Sequence, residues 1–301
     1  MRTFDDFDAW GETVSGASLR LACDGVEHRS WTLGIVDLGT VIVQVAAEGG
    51  GNVCYGANTH PGPILFVPLT HATEHIVNGE PLDDASLFAI PSGSDFRIRV
   101  RKRAHAWCSI ALPGDLAGPA ASTKITCGTQ AVARLRYLAR EVAATLIDQP
   151  AGTPAHQVAA AEVLTAAAAC LPGQVESRRT AGRPRLDRDE IFRRSMAAID
   201  EAPIMPTTTD LARGIGVNSR TLLRTFQEAF RLSPKQYLML RELHAVRRSL
   251  CAPTARDETV ADILTRHGIW EFGRFAARYR RHFGELPSET LRLRRGQAGC
   301  D

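Results

Sequence analysis

Residues 207–227 read TTTDLARGIGVNSRTLLRTFQ, and their spacing decides the fold of the last third of the chain. Thr207, Thr208, Thr209 and Asp210 offer caps for a short helix whose buried face begins with Leu211 and Ala212. Ile215-Gly216-Val217 makes a turn, because glycine reaches positive φ without a Cβ penalty. Asn218 or Ser219 then caps a second helix, anchored by Leu222 and Phe226. Small Ala212 lets the two helices cross closely, as a helix-turn-helix requires. A plain helical hairpin would satisfy the same spacing, so a second observation is needed.

That observation is a repeat. A shift of 53 residues carries Leu222, Phe226, Phe230 and Pro234 onto Phe275, Tyr279, Phe283 and Pro287, so the same apolar stripe and the same stop recur. Upstream, Val260, Ile263 and Leu264 form the packing face of another first helix, Gly268-Ile269 its turn, and Trp270 to His282 its second helix.

These residues resemble the AraC/XylS family of bacterial regulators. The stretch VADILTRHGIWEFGRFAARYRRHFGELPSETLR, Val260 to Arg292, is similar to that family's signature, and Ser233-Pro234-Lys235-Gln236-Tyr237 to Leu250 resembles its bridging helix. The resemblance covers about Arg188 to Arg295 and implies a DNA-binding domain of two helix-turn-helix motifs. This chain departs from the family at Leu264, where a small Ala is usual, at Ile269, where Phe is usual, and at Arg231, where the first copy usually has Gly.

The helix after Asn218 should place Arg220, Leu223, Arg224 and Gln227 away from its apolar stripe, with Asn218 and Ser219 at its start. Arg220 and Arg224 lie one turn apart, and arginine donates two hydrogen bonds to guanine O6 and N7 in the major groove. The 53-residue shift carries them to Gly273 and Ala277, so the second motif is blank where the first is basic. Its charges, Arg274, Arg278, Arg280 and Arg281, suit phosphate contacts, which fix register without reading sequence. Trp270, Glu271 and Phe272 open that helix, and an aromatic there could meet a thymine methyl. The expectation is an unequal reader.

Outside this region the chain changes character. Residues 1–172 carry 12 Lys and Arg against 17 Asp and Glu, a charge of −5, whereas residues 173–301 carry 24 against 16, or +8. Only the back half is suited to a polyanion. From Leu19 to Leu112, apolar runs at Ile35 to Val45, Ile64 to Leu69, Leu87 to Ile90 and Phe96 to Val100 alternate with breaks. The breaks are Gly49-Gly50-Gly51-Asn52, Pro61-Gly62-Pro63, Asn78-Gly79 and Pro91-Ser92-Gly93, and Asn78-Gly79 reads as a hairpin turn. Ile76 to Glu80, Leu87 to Ile90 and Pro91 to Phe96 resemble a cupin-like effector domain, with a loose likeness to ethanolamine-utilisation regulators. Helices at Thr129 to Asp148 and Ala155 to Leu171 follow, either as a lid on the sheet or, the reading we favour, as a homodimer interface. The chain should thus be α+β: a cupin-like β domain over 1–118, a helical dimerisation segment over 119–171, a linker over 172–187, and an all-α tandem helix-turn-helix domain over 188–296.

The sequence offers little to an enzyme. His60, His71, His75 and Glu74 lack the spacing of a metal cupin, the seven cysteines never form CxxC, and no nucleotide or nucleophile motif occurs. No metal and no cofactor are expected. Trp31, Phe66, His71, His75, Phe88 and Trp107 are candidates to line an effector pocket. The N-terminus is acidic, without a signal-peptide pattern, and no apolar run approaches the roughly 18 residues of a membrane span, so a cytoplasmic protein is expected. The expected partners are double-stranded DNA, an unidentified small-molecule effector, a second copy of the chain, and RNA polymerase if the output is activation. A metalloenzyme with an appended DNA-binding domain, and an architectural DNA binder without effector, are the alternatives.

Overall fold

The computed structural model describes residues 1–101, 103–116, 118–171, 188–252 and 257–297. They form two compact units: one mainly of strands, made of residues 1–21 and the described residues from 27 to 171, and one of helices from 188 onward that also takes in Ala22–Val26. The expected linker, 172–187, lies outside the described residues.

In the N-terminal unit two sheets share the strands. One has seven, in the order β1 (Arg2–Phe4), β3 (Trp31–Asp37), β4 (Ile42–Glu48), β11 (His105–Ala111), β6 (Ile64–Pro68), β9 (Ser86–Ile90) and β12 (Thr123–Thr126). The other has five: β2 (Ala17–Val26), β5 (Gly50–Asn58), β10 (Asp95–Val100), β7 (His75–Val77) and β8 (Glu80–Pro81). A short helix, α1 (Phe7–Gly11), joins β1 to β2. The apolar run from Ile35 to Val45 is two strands, β3 and β4, folded back on each other with Val36 opposite Val43. Asn78-Gly79 makes the hairpin turn, with φ of 46° and 87° and Val77 paired to Glu80.

The glycine-rich break at Gly49 to Asn52 needs correction. Only Gly49 bends, and β5 starts at Gly50. Glycine is required at 49 by crowding, since a Cβ there would lie 1.9 Å from the His28 carbonyl oxygen.

The middle strands of the seven-stranded sheet, β6, β9 and β11, are buried on both faces. Leu65 and Val67, Leu87 and Ala89, Cys108 and Ile110 point into one core cluster. Their neighbours Phe66, Ile90, Trp107 and Ser109 point the other way, into a cavity. A strand covered on both faces reads as a continuous apolar run, so alternation is absent from the sequence here. The outer face is covered by α2 (Thr129–Leu146), whose stripe of Val132, Leu135, Leu138, Val142 and Leu146 joins that cluster. Then α3 (Pro154–Ala168) lays Ala160, Val163 and Ala167 into the same cluster. The α2 stripe is therefore consumed within the chain, as the lid reading requires. Tyr137 and Val158, 55% and 63% exposed, lie outside it.

In the C-terminal unit the order is α4 (Arg188–Glu201), α5 (Thr208–Gly214), α6 (Ser219–Phe230), α7 (Pro234–Cys251), α8 (Val260–Arg266), α9 (Phe272–Phe283) and α10 (Pro287–Gln297). Thr207 caps α5, Asn218 caps α6 by accepting from the Thr221 amide, and Ser233 with Gln236 forms a capping box at α7. Phe192, Phe226, Phe230 and Tyr237 pack as one aromatic group, with contacting ring centroids 5.4 to 5.6 Å apart and Phe230 stacked on Tyr237. A second core gathers Leu243, Val246 and Leu250 of α7 with Ile263, Leu264, Ile269, Phe275, Tyr279 and Phe283. The α7 helix thus serves both groups and bridges the two helix pairs.

The helix pairs match, with one difference that aligning the stripes hides. Val217 N–H donates to Ala212 O, and Ile269 N–H donates to Leu264 O, so the first helices and turns are related by 52 residues, not 53. One residue, Trp270, is inserted before the second helix. That helix begins at Phe272 and ends at Phe283, later than the expected Trp270 to His282.

The ends of α6 and α9 differ as well. Both close in the left-handed region, Arg231 at φ 55° and Gly284 at φ 75°. A side chain there costs about 1 kcal/mol that glycine avoids. Arg231→Gly should therefore raise the stability of the C-terminal unit by up to about 1 kcal/mol, and Gly284→Ala should lower it by a similar amount. Urea unfolding of the full chain, followed by helical circular dichroism, checks both signs.

Candidate nucleic-acid interface and interior cavity

On α6 the buried positions are Leu222, Thr225, Phe226, Ala229 and Phe230. Asn218, Ser219, Arg220, Leu223, Arg224 and Gln227 are exposed. Arg220 and Arg224 carry the centre of that free face, and neither meets an acidic side chain among the described residues. Glu228, the nearest acid on the helix, is taken by Arg188 of α4. Two guanidinium groups are thus held one turn apart with their donors available.

The corresponding face of α9 is flat. Gly273 and Ala277 are exposed, and a Cβ at Gly273 would meet nothing within 4 Å. Arg274, Arg280 and Arg281 flank this face, also exposed. Arg274 pairs with Glu271 at 2.8 Å, a contact between side chains 73% and 66% exposed that screening leaves weak. Arg278 differs from the other three. It lies half-buried, stacks 5.7 Å over the Phe275 ring and faces Glu242 of α7 at 3.6 Å. Burial pushes the Glu242 carboxyl up from its ordinary value, and Arg278 pulls against that shift. Geometry therefore gives Arg278 a fixing role between α9 and α7 rather than an outward one. Trp270 is 71% exposed and Phe272 39%, at the leading end of the helix.

The N-terminal unit contains a cavity of about 70 Å³ between its two sheets, with Trp10 of α1 in its lining. Phe66 and Trp107 are in its wall, whereas the other four candidates are elsewhere. Trp31 is buried against Phe7, and Phe88 is wholly in the core. His71 is exposed at a left-handed position. His75 is buried behind the wall, bonded through Nδ1 to the His71 carbonyl, its ring 5.1 Å from His105. Burial and the neighbouring His105 push the His75 pKa down to about 3, so it is a neutral ring.

The polar end of the cavity was not anticipated. Glu48, Asn52 and His105 line it, and all are buried. Three donors converge on Glu48 Oε1: Trp107 Nε1 at 2.7 Å, Asn52 Nδ2 at 3.2 Å and His105 Nε2 at 3.4 Å. Burial lowers the His105 pKa, but the Glu48 carboxylate and the Arg103 and Gly50 carbonyls outweigh it and raise the net value. Glu48 and His105 are 57 positions apart in sequence and meet because β4 and β11 pair them directly. A carboxylate ending the apolar run Val45-Ala46-Ala47, and a histidine opening a strand with tryptophan, were the available signals. Among the described residues no three His, Cys, Asp or Glu side chains converge as a metal site requires.

A short helix, a glycine turn and a second helix with a buried stripe and an unpaired basic face define the class of helix-turn-helix DNA-binding domains. Residues 211–293 match the family model described as a helix-turn-helix domain. Over those residues the C-terminal unit is similar to AraC-type helix-turn-helix regulators. A XylDLEGF operon transcriptional activator of Pseudomonas putida is 38% identical over 79 residues, 26% of this chain and 24% of that protein. A probable thc operon regulatory protein of Rhodococcus erythropolis is 35% identical over 86 residues, 29% of this chain and 26% of its own. The chain thus spans about a quarter of the length of these two relatives. The crystal structure of a probable AraC family transcriptional regulator from Rhodopseudomonas palustris is 28% identical, covers 35% of this chain and 97% of that one, and superposes with a TM-score of 0.32. No helix among the described residues is long and apolar enough to cross a membrane.

Proposed function

We propose that the chain is a sequence-specific DNA-binding transcription regulator with two unequal reading helices. The observation that carries this is the contrast between α6 and α9 within one repeated frame. Arg220 and Arg224 stand free at the centre of α6, with Leu223 and Gln227 beside them and Asn218 and Ser219 at its start. At the same places α9 has Gly273 and Ala277. In this reading α6 hydrogen-bonds base edges in one major groove. The α9 helix approaches the next groove, about 34 Å away, and holds the phosphates through Arg274, Arg280 and Arg281. Gly273 and Ala277 let its backbone come close, so it senses groove shape. Trp270 and Phe272 supply apolar contact to sugars or a thymine methyl at the leading edge, where Glu271 orients Arg274.

The N-terminal unit, a cupin-like pair of sheets, is in this reading the effector domain, with the interior cavity as its site. Homodimerisation uses the outer surface of α2 and α3, because the inner stripe is already covered. The output is activation through RNA polymerase, and the protein acts in the cytoplasm without metal or cofactor. Selection of duplexes from a random pool by the full chain tests the proposal. The expected result is a recovered site bound about a thousandfold or more tighter than scrambled duplex at physiological salt. Equal binding to both duplexes would contradict it.

A further inference from the structure

The cavity in the N-terminal unit is mainly apolar, with Ser15 and Ser109 in its lining and its charged and amide groups gathered at Glu48, Asn52 and His105. Trp10, Phe66, Phe96 and Trp107 supply aromatic walls, and neither Lys nor Arg lines it. At the polar end the hydrogen bonding is lopsided. All three donors go to Glu48 Oε1, while Glu48 Oε2 and Asn52 Oδ1 are buried with no partner. Glu48 is 2% exposed and Asn52 6%, so water relieves neither from outside the fold. Two buried acceptors without donors are costly, and the cost is removed by whatever brings a donor to them. An anion would meet the Glu48 carboxylate with no lysine or arginine to offset it. The His105 ring already faces Glu48 Oε1 and bonds through Nδ1 to the backbone.

We infer that this cavity takes a small, largely apolar molecule bearing one hydrogen-bond-donating head, a hydroxyl or an amine, set against Glu48 Oε2 and Asn52 Oδ1. It excludes carboxylates. The inference rests on the reading of the N-terminal unit as an effector domain and gives that site its ligand class. Specificity follows from the acceptors: a hydrocarbon of the same shape leaves them unpartnered, and a carboxylate adds a third acceptor and a second negative charge.

The test is calorimetric titration of the full chain with four probes sharing one ring: benzyl alcohol, benzylamine, toluene and benzoate. Benzyl alcohol or benzylamine, whichever head the site prefers, should bind at least about tenfold tighter than toluene, with benzoate the weakest. Glu48→Gln should reduce the advantage of the donor head to less than about threefold while leaving toluene unchanged. Asn52→Leu removes the other acceptor and should move the ratio the same way, so one misfolded variant does not close the question. Tightest binding by benzoate, parity of toluene with both donor-headed probes, no binding by any of the four, or a ratio untouched by both variants overturns the inference. The same titrations repeated with the selected DNA duplex separate it from the broader reading. If the probes bind in the predicted order but leave DNA affinity unchanged, the ligand class stands and the effector role falls.

Discussion

Alanine at both Arg220 and Arg224 should erase most of the difference between the selected DNA site and a scrambled one. Each bidentate arginine–guanine pair carries about 1–3 kcal/mol of discrimination, roughly 5- to 150-fold, and in the proposed reading the two arginines act on neighbouring base pairs. Binding to scrambled duplex should fall much less, because the charges flanking α9 remain. Fluorescence anisotropy on the two duplexes gives both numbers. Arg281→Ala is the comparison: it should weaken both duplexes by the same factor. The structure makes this forecast sharper than charge alone would. Glu228 is occupied by Arg188, so removing Arg220 or Arg224 breaks no ion pair among the described residues and leaves α6 intact. A fall in specificity would then report lost reading, not a loosened helix.

Glu285→Ala should produce the largest loss of stability. Arg247 of α7 meets Glu285 at 2.6 Å with both side chains 10% exposed, and Thr290 of α10 donates to the same Glu285 oxygen at 2.7 Å. Arg247 also donates to the Tyr279 hydroxyl and lies 4.7 Å over the Phe283 ring. This network ties α7, α9 and α10 at the place where the second helix pair is held. Removing one partner strands a buried charge, which costs about 3–5 kcal/mol. Glu271→Ala breaks an exposed pair with Arg274 and should cost under about 0.5 kcal/mol. Urea unfolding followed by helical circular dichroism distinguishes the two. A loss at Glu285 no larger than that at Glu271 would mean that the network contributes nothing beyond packing.

The helical half was legible because its determinants are local. Caps, a glycine turn and a stripe at i, i+4, i+8 are all written within about 25 residues, and a second copy repeated them. What aligning the stripes missed was the inserted Trp270, because anchoring on Phe275, Tyr279 and Phe283 fixes the second helix and lets the turn slip by one. The seven-stranded sheet was harder. Its middle strands are covered on both faces, so Ile64 to Pro68 and Ser86 to Ile90 show apolar runs without the alternation that tells which side chains face the cavity. The α2 stripe was plain in the sequence, but what it covers was not, since a sheet and a partner helix demand the same pattern. The polar end of the cavity depends on strand pairing between residues more than 50 positions apart, and nothing local marks Glu48 and His105 as neighbours. Arg278 reads like its neighbours in sequence. Only the packing of α9 against α7 turns it inward.

The unequal roles of α6 and α9 are tested most directly by substituting every base pair of the selected site in turn and measuring affinity for the wild-type chain and for Arg220→Ala. Two sensitive patches about one helical turn apart are expected. Mismatches in one should cost about 1–3 kcal/mol each and lose most of that penalty in Arg220→Ala; those in the other should cost less and be unchanged by it. Two patches of equal depth, or a deep patch that survives Arg220→Ala intact, would contradict the unequal roles.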